Sequence, residues 1–491
     1  MPKEKFYLTT SIAYTNSWPH LGFALESVQA DVLARYERDR GKEVWFLTGT
    51  DEHGEKIRRA AEAAGLSPKT FTARISKRFR ELKKTLNLSW NDFVRTSDKR
   101  KHWPGALKLF SELRERGDIY LKKYRGLYCL GCEGFVTEKE LAHGLCPYHK
   151  KKPEMVEEEN FFFRLSRYGE RIKKAISEGS LLILPESRQR ETLAFLDGGL
   201  EDISVSRSKK SNPWGIPIPG SDQVMYVWID ALANYLSALG YGRSSLSAKK
   251  KFEKYWPADI QIIGKDILRF HTIILPAMLM SARLPLPRKI LVHGFVTAAG
   301  EKISKSLGNI IDPFELTKKY GSDPLRYYLL REIPSDEDGD FSYEKLERRY
   351  NADLADGLGN FASRVSTLAS RTDLNPSFSV SEEVRAAVLK TKNEISEHLA
   401  KFKIHESLAS IWELIKFGDI YVNKNRPWET GDKQAIFDLV FILNELGDFL
   451  SPFLPEASKK IKRAVSMRGK RVKVKKLPPL FPKPEKVILK T

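Results

Sequence analysis

The spacing of hydrophobic positions changes period several times along the chain, and each change marks an element. Phe6–Ile12 is a run of aromatic and β-branched residues, the pattern of a buried strand. From Phe23 the apolar positions Leu25, Val28, Val32, Leu33 and Tyr36 recur at helical spacing until Gly41. Val44–Thr48 reads as a second strand, and helices fill Ser67–Leu86 and Trp103–Gly117. From Asp118 to about Asp222 the pattern breaks into short strands, turns and charge. It resumes at Val224–Asp230 and Ala231–Leu239, then an apolar strand Asp259–Ile263, a helix Ile267–Ala282 and a strand Lys289–Thr297. Asp323-Pro324 predicts a helix start, with a cap followed by proline at the first helical position. Beyond Tyr350 the spacing is wholly helical, over Asp356–Arg371, Glu382–Phe402, His405–Asn423 and Lys433–Phe449, which predicts a bundle. The basic stretch Arg468–Lys476 is expected to be exposed, and no internal repeat is visible. Strands alternating with helices predict an α/β fold with a parallel sheet, followed by an all-α part.

Composition narrows the class. At 491 residues, two to four domains are expected, each with a real core. No apolar run is long enough to cross a bilayer, and the first residues lack a signal peptide's apolar stretch, so a cytoplasmic protein is expected. Lysine and arginine total 83 against 63 acidic residues, a formal charge of +20 that points either to a polyanionic partner or to general surface lysine enrichment. Three cysteines are too few for a disulfide framework.

Candidate chemistry gathers at the ends of the predicted strands. A strand, a glycine-containing turn and a helix N-terminus suit a phosphate site or are simply an ordinary α/β strand-to-helix turn, and His20 sits in that turn beside Gly22. Asp51 follows the second strand, placed either to meet a ligand or to cap the helix near Glu55. Gly264 and Asp266 follow a third strand, with His271 in the next helix. Trp228, Ala231 and Tyr235 recur at helical spacing, as a pocket wall or as core packing. Cys129-Leu130-Gly131-Cys132 and Cys146-Pro147-Tyr148-His149 are two knuckle-like pairs with the spacing of a closed, structural tetrahedral zinc site, free buried thiols being the alternative and His143 competing for the histidine role. Lys302 and Lys305 lie in a Ser- and Gly-rich loop, suited to a triphosphate or simply a solvated turn. Asn360 and Arg364 share a helix face, and Trp428 ends a helix either as a base-stacking ring or as a plug of the bundle.

His20-Leu21-Gly22-Phe23 together with Lys302-Ile303-Ser304-Lys305-Ser306 resembles the paired HIGH and KMSKS signatures of class I aminoacyl-tRNA synthetases. The strings FLTGTDEHGEKI, YVWIDA, IIGKDILRFH, LGNFASR and NRPWE are similar, in order and over nearly the whole chain, to the methionyl-tRNA synthetase family. The resemblance implies a Rossmann-type parallel-sheet catalytic domain in two halves, 1–117 and 223–299, split by a zinc-bearing connective insert at 118–222. It implies a signature-lysine and stem-contact region at 300–349, an all-α anticodon-binding bundle at 350–467 and a basic tail at 468–491. The implied activity is ATP-dependent ligation of methionine to its tRNA through methionyl-adenylate. In that reading His20, Lys302 and Lys305 are catalytic and, with Gly22, Gly264 and Asp266, bind ATP with its Mg²⁺. Ile12, Tyr14, Asp51, Trp228, Ala231, Tyr235, Ile267 and His271 contact methionine. Asn360, Arg364 and Trp428 read the anticodon of tRNA(Met), initiator and elongator alike. Cys129, Cys132, Cys146 and His149 hold structural Zn²⁺, and a monomer is expected.

Three positions depart from the family pattern: Phe23 replaces the second signature histidine, Ile303 a methionine, and Leu275 a tryptophan. Phe23 makes a catalytically weak or inactive tRNA-binding paralogue the alternative reading. Leucine, isoleucine and valine enzymes carry an editing domain of roughly two hundred residues, for which the insert is too short. A cysteine enzyme would surround its amino-acid pocket with metal ligands. A small-molecule nucleotidyltransferase has no use for the helical final third.

Overall fold

The computed structural model describes residues 3–129, 134–136, 138, 141–147, 150–298, 300–302, 311–374, 378–468 and 471–482, the side chains at 134, 135, 301, 302, 468 and 471 excepted. It divides into two compact units, one of Met1–Trp18, Gly41–Glu81 and Trp90–Val292, the other of Pro19–Arg40, Leu82–Ser89 and His293–Thr491.

The first unit is built on a six-stranded sheet in the order Asp92–Arg95, Glu43–Asp51, Lys5–Tyr14, Ile260–Gly264, Lys289–His293, Leu182–Leu184. Lys5–Tyr14 pairs in parallel with both neighbours, Leu8 standing opposite Phe46 on one side and Ile260 on the other. Phe6 to Thr10 are buried without a break, as expected of a parallel strand covered on both faces. Because the strands run the same way, Tyr14, Asp51 and Gly264 end at one edge. The edge strand Leu182–Leu184 comes from within residues 118–222 and pairs in parallel with Lys289–Leu291. Other strands of that stretch form a separate four-stranded sheet in the order Gly134–Val136, Ile119–Cys129, Glu154–Phe163, Ile203–Ser204. Its register places Lys123 opposite Glu159 and Arg125 opposite Glu157, residues of opposite charge on neighbouring strands.

Three elements differ from the sequence pattern. The apolar run from Val224 is a three-residue strand, Gln223–Met225, that turns at once into the helix Val227–Leu232. Apolarity without alternation does not separate a buried strand from a buried helix. The helix expected over Ile267–Ala282 is a 3₁₀ turn Lys265–Ile267, a π-helical turn Phe270–Ile274 and an α-helix Leu275–Ser281. Lys289–Thr297 is two strands in two sheets, Lys289–His293 and Val296–Ala298, interrupted at Gly294.

Two of the proposed zinc ligands, Cys132 and His149, lie outside the described residues. Cys129 and Cys146 are both buried. The Cys146 N–H donates to the Lys151 carbonyl at 2.9 Å, and its own carbonyl accepts from Lys150 N–H at 2.8 Å. His143 is exposed, at φ 54 in the turn bridged by Ala142 and Leu145. Among the described residues no three metal-ligating side chains cluster.

The second unit is mostly helical. Its centre is a buried cation, Arg326, which donates to Asp31 at 2.8 Å and to the carbonyls of Leu86, Pro452 and Phe453 at 2.8–3.0 Å. Burial pushes the Asp31 carboxyl up, but Arg326 and Arg35 outweigh it and hold the group below its usual range. Asp323 does not cap its own helix, Ser322–Arg331, whose N-cap is Gly321. Its carboxylate instead accepts from the Ala457 N–H at 2.7 Å, satisfying the start of the helix Pro455–Ala464. The bundle helices run Asn360–Ala369, Glu382–Ala400, Ile404–Asn425 and Lys433–Phe449. Within the basic stretch Lys473, Lys475 and Lys476 are exposed as expected, Val465–Arg468 pairs antiparallel with Arg471–Val474, and beyond the stretch Leu477, Leu480 and Phe481 are buried. The Leu477 N–H donates to the Ser366 hydroxyl at 3.1 Å.

Candidate active site

Ile12 and Tyr14 close the central strand opposite Gly49 and Asp51. Asp51 is 4% exposed, and its carbonyl accepts from both the N–H and the hydroxyl of Thr15 at 3.0 Å. It ends the strand and does not cap the next helix, Glu55–Ala63, whose N-cap is Gly54 at φ 115 with no side-chain bond. A buried carboxylate at the carboxyl edge of a parallel sheet is suited to a cationic group of a ligand.

Tyr235 and His271 meet from separate elements. The Tyr7 hydroxyl donates to the Tyr235 carbonyl at 2.8 Å, tying the segment Asn234–Ser237 to the central strand. The Tyr235 hydroxyl lies 2.7 Å from His271 Nε2, and His271 Nδ1 lies 3.1 Å from the Ile267 carbonyl. A carbonyl only accepts, so Nδ1 carries the proton and Nε2 accepts from Tyr235. Burial pushes the imidazole pKa down to about 4, so the ring is neutral at physiological pH. The π-helical turn carries this histidine, a distortion common where a helix serves a site. Trp228 stacks on Phe270 with ring centres 3.7 Å apart, and its buried indole N–H has no hydrogen-bond partner among the described residues. Ala231 is buried on the same helix, Ile267 is half-buried, Gly264 closes its strand, and Asp266 follows it and is exposed. Leu275 is fully buried in the core of this unit.

One part of the architecture escaped the sequence reading. Asp230 is fully buried and accepts from His53 Nδ1 at 2.6 Å and His102 Nε2 at 2.7 Å. Burial alone would raise its carboxyl pKa, yet His53 and His102 outweigh that and hold it below the ordinary range. Since His53 is two residues past Asp51 and Asp230 lies between Trp228 and Ala231, this bond fixes the Trp228 helix against the end of the Asp51 strand. Glu52, also fully buried, accepts two bonds from Arg95 at 2.7 and 2.9 Å. His53 and Asp230 fall inside the strings DEHG and YVWIDA; His102 has no local signal.

In the second unit His20 is the N-cap of the helix Leu21–Asp39, its Nδ1 accepting from the Gly22 N–H at 3.1 Å. That bond puts the ring proton of the neutral form on Nε2. A side chain at position 22 would begin 3.0 Å from His20 Cε1, so it would press on the capping ring. Lys302 lies in a short strand, its backbone paired with Thr297, and its side chain and all of Lys305 lie outside the described residues. The base of their loop is held by Asp340, which accepts from Gly300 N–H at 2.9 Å and the Thr297 hydroxyl at 2.8 Å.

Arg364 and Trp428 do come together, the guanidinium 4.4 Å from the ring centre, and Arg364 also donates to Asn423 at 3.0 Å. Arg426 at φ 40 breaks the chain between the helices Ile404–Asn425 and Pro427–Thr430. Trp428 is 45% exposed, so it is not a plug of the bundle. Asn360 is exposed one turn before Arg364.

A family model described as tRNA synthetases class I (M) matches residues 6–152 and 139–366. The methionine–tRNA ligase of Caldanaerobacter subterraneus is 42% identical over 474 residues, 94% of this chain and 73% of the relative. That of Thermotoga maritima is 40% identical over 484 residues, 95% of this chain and 76% of the relative. A solved structure of Mycobacterium tuberculosis methionyl-tRNA synthetase in complex with methionyl-adenylate matches with a TM-score of 0.90 at 35% identity, over 97% of this chain and 99% of that one.

Proposed function

Because the chain belongs to the methionyl-tRNA synthetases of class I, we propose that it ligates methionine to tRNA in two steps, with methionyl-adenylate between them. The observation that carries this reading to the site is the neutral Tyr235–His271 pair, on the same unit and strand framework as the buried Asp51. A thioether carries no charge and needs a wall that is polar without being ionised, whereas the substrate ammonium needs a carboxylate. Asp51 takes the ammonium. Tyr14, Trp228, Ala231, Tyr235, Ile267 and His271, with Ile12, surround the side chain.

In the first step a carboxylate oxygen of methionine attacks the α-phosphorus of ATP. The new O–P bond forms as the bond from that phosphorus to the bridging oxygen breaks, and pyrophosphate leaves with the electron pair. Mg²⁺ accompanies the ATP phosphates and offsets their charge. Gly22 lets the phosphates approach the helix start, and Gly264 and Asp266 take the ribose side of the nucleotide. His20, Lys302 and Lys305 stabilise charge moving onto pyrophosphate, so catalysis is positioning and electrostatics without a covalent enzyme intermediate. In the second step the 2′-hydroxyl of the terminal adenosine attacks the methionyl carbonyl and AMP departs. Asn360, Arg364 and Trp428 read the CAU anticodon shared by initiator and elongator tRNA(Met), the indole stacking on an unpaired base.

Three thiolates and an imidazole suit tetrahedral zinc, and the burial of Cys129 and Cys146 supports a closed structural site completed by Cys132 and His149. Metal analysis should find one zinc per chain, lost in Cys132→Ser and His149→Ala but kept in His143→Ala. Loss with His143→Ala instead would reassign the fourth ligand.

The direct test is methionine-dependent exchange of pyrophosphate into ATP, with leucine, isoleucine and cysteine as controls. Exchange with methionine alone is expected. Absence of exchange with every amino acid, from folded zinc-replete protein, would overturn the assignment and make Phe23 the first residue to revert to histidine.

A further inference from the structure

Trp18 stands apart from the residues assigned above. It is 46% exposed, although an indole is among the most costly side chains to leave in water. The Arg74 guanidinium lies 5.9 Å from its ring centre, and Arg74 is itself exposed. Arg74 belongs to the helix Pro68–Thr85, whose eighteen residues carry seven basic side chains and one acidic, Glu81. Glu81 is committed to Arg78 at 2.9 Å. Lys69, Arg74, Lys77 and Arg80 are exposed, and at 100° per residue they fall within about 140° of the helix circumference. Thr72, Ile75, Ser76 and Phe79 occupy the opposite, buried side. An exposed ring beside a one-sided row of cations is the combination that binds single-stranded nucleic acid: the ring stacks on a base and the cations follow the phosphates.

Position in the chain selects which strand. Trp18 is three residues beyond Thr15, whose backbone is bonded to the Asp51 carbonyl at 3.0 Å, so its Cα lies within about 11 Å of Thr15. That bound keeps Trp18 within reach of the amino-acid end of the proposed site. We infer that Trp18 and the cationic face of the helix Pro68–Thr85 receive the single-stranded 3′ end of the tRNA, the indole stacking on a base that precedes the terminal adenosine. This rests on the ligase assignment for the identity of the RNA. The stacking surface itself is tested without catalysis.

The test compares binding of two RNA hairpins with the sequence of the acceptor stem, one ending in the single-stranded CCA and one blunt, by fluorescence anisotropy at fixed salt. The unaltered protein should prefer the CCA-ended hairpin about tenfold. Trp18→Ala should abolish the preference and Trp18→Phe should keep most of it, whereas Trp18→Leu should behave as Trp18→Ala. The pair Lys69→Glu/Lys77→Glu, at exposed positions that threaten no core, should weaken the CCA-ended hairpin more than the blunt one and flatten its salt dependence, and equal weakening of both would remove the helix from the single-strand site. A preference retained in Trp18→Ala, or rescued equally by leucine, overturns the inference. Binding that follows these expectations from a protein that exchanges no pyrophosphate would leave the surface standing and remove the ligase assignment instead.

Discussion

His271 illustrates how one ring's protonation follows from its two neighbours. Its Nδ1 faces a carbonyl and its Nε2 a phenol, so a second proton would break the bond from Tyr235. The folded ring titrates at about 4, and an unfolded histidine titrates near 6.5. As pH falls below 6.5 the unfolded chain takes up a proton that the folded chain refuses. The stability contributed by the neutral ring is therefore whole above pH 6.5 and is lost progressively toward pH 4, about 3 kcal/mol in all. His271→Gln removes this titration. Urea unfolding at pH 7.5, 5.5 and 4.5 should show the wild-type advantage over the variant shrinking as pH falls; a constant gap would mean that the ring is not the titrating group. Asp51 was legible as a residue near a strand end, because the apolar run Val44–Thr48 stops just before it, although the strand itself continues through Asp51. His102 was not legible: its partner Asp230 is 128 residues away, and only the fold makes the pair.

Elements were legible where periodicity was strong and long. The helix Lys433–Phe449 has the bounds its spacing predicts, since a capping aspartate and a sustained apolar stripe mark it. Asp323 was misassigned because Asp-Pro is a local signal of capping, while the N–H groups that the carboxylate satisfies belong to a helix more than a hundred residues on. The π-helical turn at Phe270–Ile274 leaves no trace in composition, as it keeps the same residues and shifts only their hydrogen bonds. At the junction of Ile404–Asn425 with Pro427–Thr430, proline and a left-handed Arg426 force the break that leaves Trp428 in solvent beside Arg364. Trp428→Ala should lower tRNA charging about tenfold or more, the worth of one stacked base, while methionine-dependent pyrophosphate exchange stays within twofold. Equal loss in both assays would make the ring a structural element and remove it from anticodon reading.

At the scale of the whole chain, a formal charge of +20 has a measurable consequence. Each phosphate neutralised by a lysine or arginine releases counterions, so the KM for tRNA in charging should climb steeply between 50 and 200 mM salt, about tenfold or more. The KM for methionine in pyrophosphate exchange involves no polyanion of that size and should move far less. A tRNA KM indifferent to salt would assign the excess charge to general surface enrichment.

The sequence by itself determined the alternation of strands and helices, the helical final third and the family to which the chain belongs. These are local patterns or short strings, written in residues that are neighbours along the chain. Only the tertiary structure decided that Asp230 joins His53 to His102, that Tyr235 donates to His271, that Arg364 lies over Trp428, and that Leu477 and Phe481, just past the basic stretch, are buried. Each of these depends on which buried polar group finds a partner, or which apolar side chain finds a surface, among residues far apart in the chain. Desolvation makes such pairing compulsory, but periodicity carries no information about the partner.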